Sequence, residues 1–252
     1  MIFQYASDLH LEFPENRRFL SANPIEPAAD LLILAGDIVP FREIEEHQGF
    51  FDLLEATFKK TYWIAGNHEY YGDDVLENSG RINKQIRDSI FLVNNESIVE
   101  EGIRFVFSTM WTKINPENQG RIQRELSDFA TIKYGGETFL PQHYNQLHQE
   151  NLEFLQQELH KKVPHKTVVT THHVPTFYNY PTQYKNDPLN EAFAVELFDF
   201  IVATEPDYWI YGHHHSNRAD FTIGKTELCT NQLGYVAYNE HLGFDPKKTI
   251  DL

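Results

Sequence analysis

Five short segments of the chain carry side chains able to hold divalent metal: Asp8-Leu9-His10, Gly36-Asp37, Gly66-Asn67-His68-Glu69, Thr171-His172-His173 and Gly212-His213-His214-His215. Carboxylate and imidazole donors without thiolate suit Mn, Fe, Zn or Co. They disfavour Cu(I) and iron–sulfur clusters, and a calcium site would use fewer imidazoles. Asp8 and His10 are one residue apart, as are His213 and His215, so in extended chain each pair points the same way. The Asp37 carboxylate has two oxygens that can bridge two cations. Gly66 permits a tight turn, and the Asn67 amide offers a carbonyl oxygen. The set Asp8, His10, Asp37, Asn67, His172, His213 and His215 divides into two half-sites sharing Asp37. Two metals about 3.5–4 Å apart suit in-line displacement at phosphorus. His68 stands beside them without being needed as a ligand.

Each cluster follows a short apolar run: Ile2 to Ala6, Leu31 to Ala35, Tyr62 to Ala65, Lys166 to Thr170 and Tyr208 to Tyr211. These runs are rich in β-branched, aromatic and leucine side chains and too short for buried helices, so they read as strands. Laid side by side and parallel, they deliver all five clusters to one carboxyl edge, where open α/β folds bind ligands. Between them, apolar spacing predicts helices over 43–58, over 144–159 and over 194–202. Glu101-Gly102 and Gly224-Lys225 predict two hairpins, Ser97–Glu100 with Ile103–Phe107 and Phe221–Ile223 with Thr226–Cys229. Strands alternating with helices, followed by further strands, predict an α/β sandwich of two sheets with outer helices.

Composition agrees. A chain of 252 residues, 41% of them hydrophobic, can bury one sizeable core, and residues 1–252 read as a single domain without a linker. The one cysteine, Cys229, lies in an apolar run and reads as a core residue rather than a nucleophile. A formal charge of -16 disfavours long nucleic acid as a partner, while small anionic substrates stay compatible because bound dications dominate a site's field. No apolar run approaches a membrane span, and the amino terminus enters a strand directly, so a cytoplasmic protein without membrane attachment is expected. Oligomeric state is not legible.

The ordered series Asp-x-His, Gly-Asp, Gly-Asn-His-Glu, a histidine after a strand, and Gly-His-x-His resembles the calcineurin-like metallophosphoesterase superfamily over residues 8 to 215. The resemblance implies a four-layer α/β/β/α sandwich with a dinuclear metal site at the carboxyl edge of the strands. It implies Asp8, His10, Asp37 and His215 on one metal, and Asp37, Asn67, His172 and His213 on the other. It makes His68 the outer histidine that stabilises phosphoryl oxygens or protonates the leaving group. A metal-bridging hydroxide would hydrolyse a small phosphodiester or phosphomonoester, the diester favoured, with Mn2+ or Fe/Mn as the metals and Zn also possible. A narrower resemblance, to bacterial single-domain metallophosphoesterases of unassigned substrate, rests on Met110-Trp111-Thr112, Asp128-Phe129, Asp187 to Phe193 and Asn231 to Tyr235. Those relatives carry proline and arginine where this chain has Gln232 and Leu233.

Substrate choice must come from loops over the metals. The stretch Thr176 to Asn190 carries Phe177, Tyr178, Tyr180 and Tyr184, and the last three, with Arg218, are candidate substrate contacts; Lys185 is another cation able to meet phosphate. His173 and His214 alternate with the proposed ligands and should point away from the metals. His47, His143, His148, His160, His165 and His241 read as surface residues, and Glu69 as a brace for the Asn67 turn or a solvated side chain. Gly36-Asp37 is followed by Ile38-Val39-Pro40, not the Asp-Arg-Gly of serine/threonine protein phosphatases, and His68 stands where lipid-A-pathway pyrophosphatases have arginine. The rival reading is a catalytically silent scaffold of the same fold that binds other proteins.

Overall fold

A computed structural model describes residues 1–252. The chain begins with β1 (Ile2–Ala6), α1 (Pro14–Ala22), β2 (Leu31–Ala35), α2 (Gln48–Thr57), β3 (Lys60–Ile64) and a hairpin of β4 (Ile82–Arg87) and β5 (Ile90–Asn94). A second hairpin, β6 (Glu96–Glu100) and β7 (Ile103–Ser108), leads through α3 (Gln119–Glu125), α4 (Asp128–Thr131) and the short ribbon β8 (Lys133–Tyr134) and β9 (Glu137–Thr138) to α5 (Pro141–Leu159). The remainder runs β10 (Lys166–Thr171), α6 (Phe198–Thr204), β11 (Tyr208–Tyr211), β12 (Phe221–Ile223), β13 (Thr226–Thr230) and β14 (Thr249–Asp251).

The strands form two six-stranded sheets of matching plan, ordered β14-β1-β2-β3-β5-β4 and β12-β13-β11-β10-β7-β6. In each, four central strands are parallel and an antiparallel strand closes each edge. The run Leu31-Leu32-Ile33-Leu34-Ala35 shows why: all five residues are buried, as expected of a strand covered on both faces. Its alternate residues serve two cores. Leu31, Ile33 and Ala35 pack between the sheets with Phe105, Val168, Ile210 and Cys229, while Leu32 and Leu34 pack outward with Phe51 and Leu54 of α2. On the far side, Val106, Val169 and Trp209 meet Leu155 of α5 and Ile201 of α6. The layers are therefore helix, sheet, sheet, helix, which is the expected four-layer sandwich. No helix is long and apolar enough to cross a membrane.

Several local expectations are corrected. The five cluster-bearing strands do not share one sheet: β1, β2 and β3 lie in the first, β10 and β11 in the second. Their carboxyl edges meet because the sheets are stitched together there, Ser7 bridging to Gln232 and the Asp8 carboxylate accepting from the His213 N–H at 3.0 Å. The helix expected over 43–58 is broken. A 3-10 turn, Phe41–His47, precedes α2, and Phe58 is already extended. The helix expected over 194–202 begins only at Phe198, because Ala194 bridges to Val174. Both hairpins form, the first turning on Glu101 and Gly102 at φ 47 and 81. His148 is buried at 5% exposure, its Nδ1 2.8 Å from the Trp111 carbonyl, so it is not a surface residue.

Candidate metal centre

The strand ends deliver their donors through backbone that ordinary residues avoid. Asp8, His10, Asp37, His213 and His215 have φ of 56, 49, 56, 80 and 49, all left-handed. The extended geometry assumed for the alternating pairs is therefore absent. Each side chain is turned inward by a strained residue instead, the kind of local cost that persists where surrounding structure enforces it. Two glycines are required by contact. A Cβ on Gly66 would overlap Asp37 Oδ1 and His172 Nε2, and one on Gly36, at φ 90, would overlap the His172 ring.

Asp8, His10, Asp37 and His215 bring one donor atom each within 4.8 Å of one another, and Asp37, His172 and His213 form a second such group. Asp37 Oδ2 lies 3.7 Å from His10 Nε2 on one side and 3.4 Å from His172 Nε2 on the other. It is the carboxylate common to both groups.

Hydrogen bonds on the outer side orient each ring. His10 Nδ1 donates to Glu12 at 3.0 Å, His215 Nδ1 to Glu240 at 2.8 Å, His172 Nδ1 to the Ala35 carbonyl at 2.9 Å and His213 Nε2 to the Ala192 carbonyl at 3.2 Å. These partners only accept, so the outer nitrogens carry the hydrogens and the inner ones present lone pairs. The inner nitrogens meet in two pairs, His10 Nε2 with His215 Nε2 at 2.9 Å and His172 Nε2 with His213 Nδ1 at 3.1 Å. Lone pairs facing each other at that separation require a proton or a cation between them.

The Asn67 amide points the same way. Its Nδ2 donates to Asp128 at 2.9 Å, and its buried Oδ1, on a residue that lines the same cleft as Asp37, has no hydrogen-bond partner. A buried carbonyl oxygen without a donor is costly unless something positive meets it. The donor set therefore fits two divalent cations.

Electrostatics agree. Burial opposes ionisation of Asp37, yet the nearby His172 and His68 hold it well below the usual carboxylate range. Burial would lower His172 and His215, but Asp37 and Asp8 respectively outweigh it and raise them to about 9 and about 10. These are the positions where the buried carboxylates most want positive charge. Burial and the neighbouring His173 push His213 well down, so it stays neutral.

His68 sits apart. Its Nδ1 donates to Glu12 at 2.8 Å, its ring stacks on Tyr71 at 4.1 Å, and its Nε2 is 4.0 Å from Asp37 Oδ2. Glu12 thus binds His10 and His68 through one oxygen. Burial would raise its carboxyl, but the two histidine hydrogen bonds win and hold it at about 2.

Glu69 proves to be a brace rather than a solvated side chain. It is fully buried and accepts from the N–H groups of Asp37, Ile38 and Gly66 and from the Trp63 indole, at 2.7 to 2.9 Å. It ties the Gly36-Asp37 and Gly66-Asn67 turns together. Burial and the Asp37 charge push it up to about 7 against the pull of those donors. Glu69→Gln should leave at least one donor facing an NH2 group, costing about 2 kcal/mol and lowering the melting temperature by about 4–8 °C. An unchanged melting curve would remove the bracing role.

His173 and His214 lie outside the two groups. His173 bonds to Tyr144 and the Thr109 carbonyl, and His214 to Gln232. A cleft of about 400 Å³ opens over the centre, walled by Asn67, His68, Tyr180, Tyr184 and Tyr235. Of the candidate substrate contacts, Tyr180 and Tyr184 line it. Tyr178 faces outward at 55% exposure against Phe198 and Phe221, and Arg218 lines the neighbouring groove. The sequence reading missed Glu12, Tyr71, Glu240 and the Asp128 contact. Glu12 had a signal in continuing the alternation of Asp8 and His10, and Asp128 one in the Asp128-Phe129 segment, which gave it no role at the metals.

A model of calcineurin-like phosphoesterases matches residues 5–217. An uncharacterised protein of Acanthamoeba polyphaga mimivirus, L509, is 29% identical over 279 aligned positions spanning 100% of this chain and 96% of its own. Among solved structures, the phosphopantetheinyl hydrolase PptH of Mycobacterium tuberculosis superposes with a TM-score of 0.65 at 17% identity, covering 92% of this chain and 89% of that one. A dimetal phosphatase of Danio rerio aligns with a TM-score of 0.46 at 13% identity, covering 98% and 89%.

Proposed function

The chain belongs to the calcineurin-like phosphoesterase family, whose members are metal-dependent phosphoester hydrolases, and on that premise we propose that it hydrolyses small phosphodiesters in preference to phosphomonoesters. The observation that carries this reading is the convergence of four outward-anchored imidazoles, in two pairs, on the single carboxylate of Asp37. In this reading Asp8, His10, Asp37 and His215 hold one cation, and Asp37, Asn67, His172 and His213 the other. Mn2+ or an Fe/Mn pair is the proposed metal, with Zn the next choice for this nitrogen and oxygen donor set. Two bound dications supply a water of lowered pKa and neutralise phosphoryl oxygens.

The chain's own groups do the rest. Glu12 holds Nδ1 of His68 and so keeps Nε2 toward the cleft, where it reaches a phosphoryl or leaving-group oxygen. Tyr71 stacks on the ring and limits its rotation. Asp128 fixes the Asn67 amide, and Tyr180 and Tyr184 cover the cleft against water. The preference for diesters rests on charge. No lysine or arginine lines the cleft, so nothing beyond the metals and His68 answers the extra negative charge of a monoester.

The test is hydrolysis of bis(p-nitrophenyl) phosphate and p-nitrophenyl phosphate by metal-free protein reconstituted with Mn2+. Faster diester turnover supports the reading, and faster monoester turnover overturns the preference. No turnover of either ester with metal bound would turn the assignment to the scaffold reading.

A further inference from the structure

Beyond Tyr180, Asp187 and Asn190, which belong to both, the cleft continues into a larger groove of about 1010 Å³. Lys113, Lys185 and Arg218 line it. The chain has 21 lysines and arginines against 37 acidic residues, and many of its cations elsewhere pair with a carboxylate, as with Lys59, Lys60, Arg81, Arg87, Lys225 and Lys248. The three in the groove have no carboxylate partner, and the buried Nε of Arg218 has no acceptor at all.

The groove's own carboxylates are committed elsewhere. Glu191 accepts from the Asn115 N–H and from the amides of Asn115 and Asn118. Glu196 takes the Thr176 hydroxyl and the N–H groups of Phe177 and Phe198. Asp187 caps Leu189 and pairs with Arg121 at 3.4 Å. Glu191 and Glu196 keep their charge but turn their oxygens to neutral donors, so neither pairs with the three cations, which stay open to an anion that arrives from outside. The wall between groove and centre is aromatic: Tyr180 packs on Phe177 at 5.4 Å and approaches the His214 ring at 5.7 Å.

We propose that Lys113, Lys185 and Arg218 form a subsite for a second phosphate, carried by the organic arm of the substrate, which crosses Tyr180 while its phosphodiester occupies the centre. The inference rests on the function proposed above and narrows it to phosphodiesters bearing a distal phosphate. It also resolves a contrast in charge, because the cleft over the metals has no lysine or arginine and the groove next to it has three. Exposed charge pairs contribute little singly, so the three together should be worth about tenfold in kcat/KM and should weaken as salt rises.

The experiment compares two esters on the Mn2+-loaded full chain: thymidine 5′-(p-nitrophenyl phosphate) and the same compound carrying a 3′-phosphate. The 3′-phosphate should raise kcat/KM about tenfold. That ratio should fall toward one in about 0.5 M salt and in the Lys113→Ala, Lys185→Ala, Arg218→Ala triple variant. Because the ratio is taken within one protein, it cancels any change at the centre. Equal kcat/KM for the two esters in the unaltered protein would overturn the subsite. If neither ester is hydrolysed, the proposed function fails separately, and the groove is judged by calorimetry of thymidine 3′,5′-bisphosphate on metal-free protein. Binding that disappears in the triple variant upholds the subsite, and no binding overturns it.

Discussion

Asp37→Asn should bind metal at least about 10²-fold more weakly and lose nearly all turnover. An effect of 10–100-fold is usual for altering a group that merely orients a ligand, and Asp37 is the one side chain within reach of both donor groups. The substitution preserves shape. Its Oδ1 can still accept from the His68 N–H, as Asp37 does at 2.9 Å, so the backbone turn should survive. What disappears is the negative charge that raises His172 and opposes loss of the cation. The decisive readings are metal content by elemental analysis, Mn2+ affinity by titration, and far-ultraviolet circular dichroism to show that the fold is intact. Full occupancy with full activity would sink the shared role of Asp37. Loss of fold together with loss of metal would show that the charge is structural instead.

His68→Ala should separate chemistry from metal binding. Turnover is expected to fall about 10²–10⁴-fold, the usual range for a positioned acid or base, while metal content stays close to that of the unaltered protein. The geometry gives the reason: His68 bonds to Glu12, stacks on Tyr71, and keeps its Nε2 4.0 Å from the nearest Asp37 oxygen. A leaving-group series identifies what His68 contributes. If it protonates the departing alkoxide, alkyl esters should suffer far more than p-nitrophenyl esters, whose leaving group needs little help. If it steadies the phosphoryl oxygens, both kinds should slow alike. Normal turnover would remove His68 from the mechanism. Glu12→Gln should mimic the defect more weakly and also loosen metal, because the same oxygen holds His10.

The donors could be read from the chain because each is a local fact, a carboxylate, amide or imidazole placed just after a short apolar run. Leu31 to Ala35 and Tyr208 to Tyr211 end where the periodicity ends them, and α5 follows its leucine spacing. Two of the expected helices form only in part. The stretch from Glu43 splits into a 3-10 turn and α2, and Ala194 to Leu197 is drawn from helix into contact with the segment after β10. In both places tertiary packing overrides an apolar pattern that a helix would also satisfy. The loop over the centre shows the same limit at finer scale. Tyr178, Tyr180 and Tyr184 look alike in sequence, yet two line the cleft and one faces away, a choice made by what Phe198 and Phe221 offer to the ring.

Residue type and spacing alone pointed to the class of chemistry, through mixed oxygen and nitrogen donors and a carboxylate with two oxygens, and the order of elements pointed to a two-sheet fold that gathers them. Orientation came from contacts distant along the chain. Glu12 reaches His68 across 56 positions, Asp128 reaches Asn67 across 61, and Glu240 reaches His215 across 25. The left-handed backbone at Asp8, His10, Asp37, His213 and His215 is one that Asp and His tolerate better than most residues, but it still costs energy locally and persists because the packing at the junction of the two sheets holds it. A donor's identity is covalent and local, whereas the direction in which its lone pair points depends on everything packed behind it.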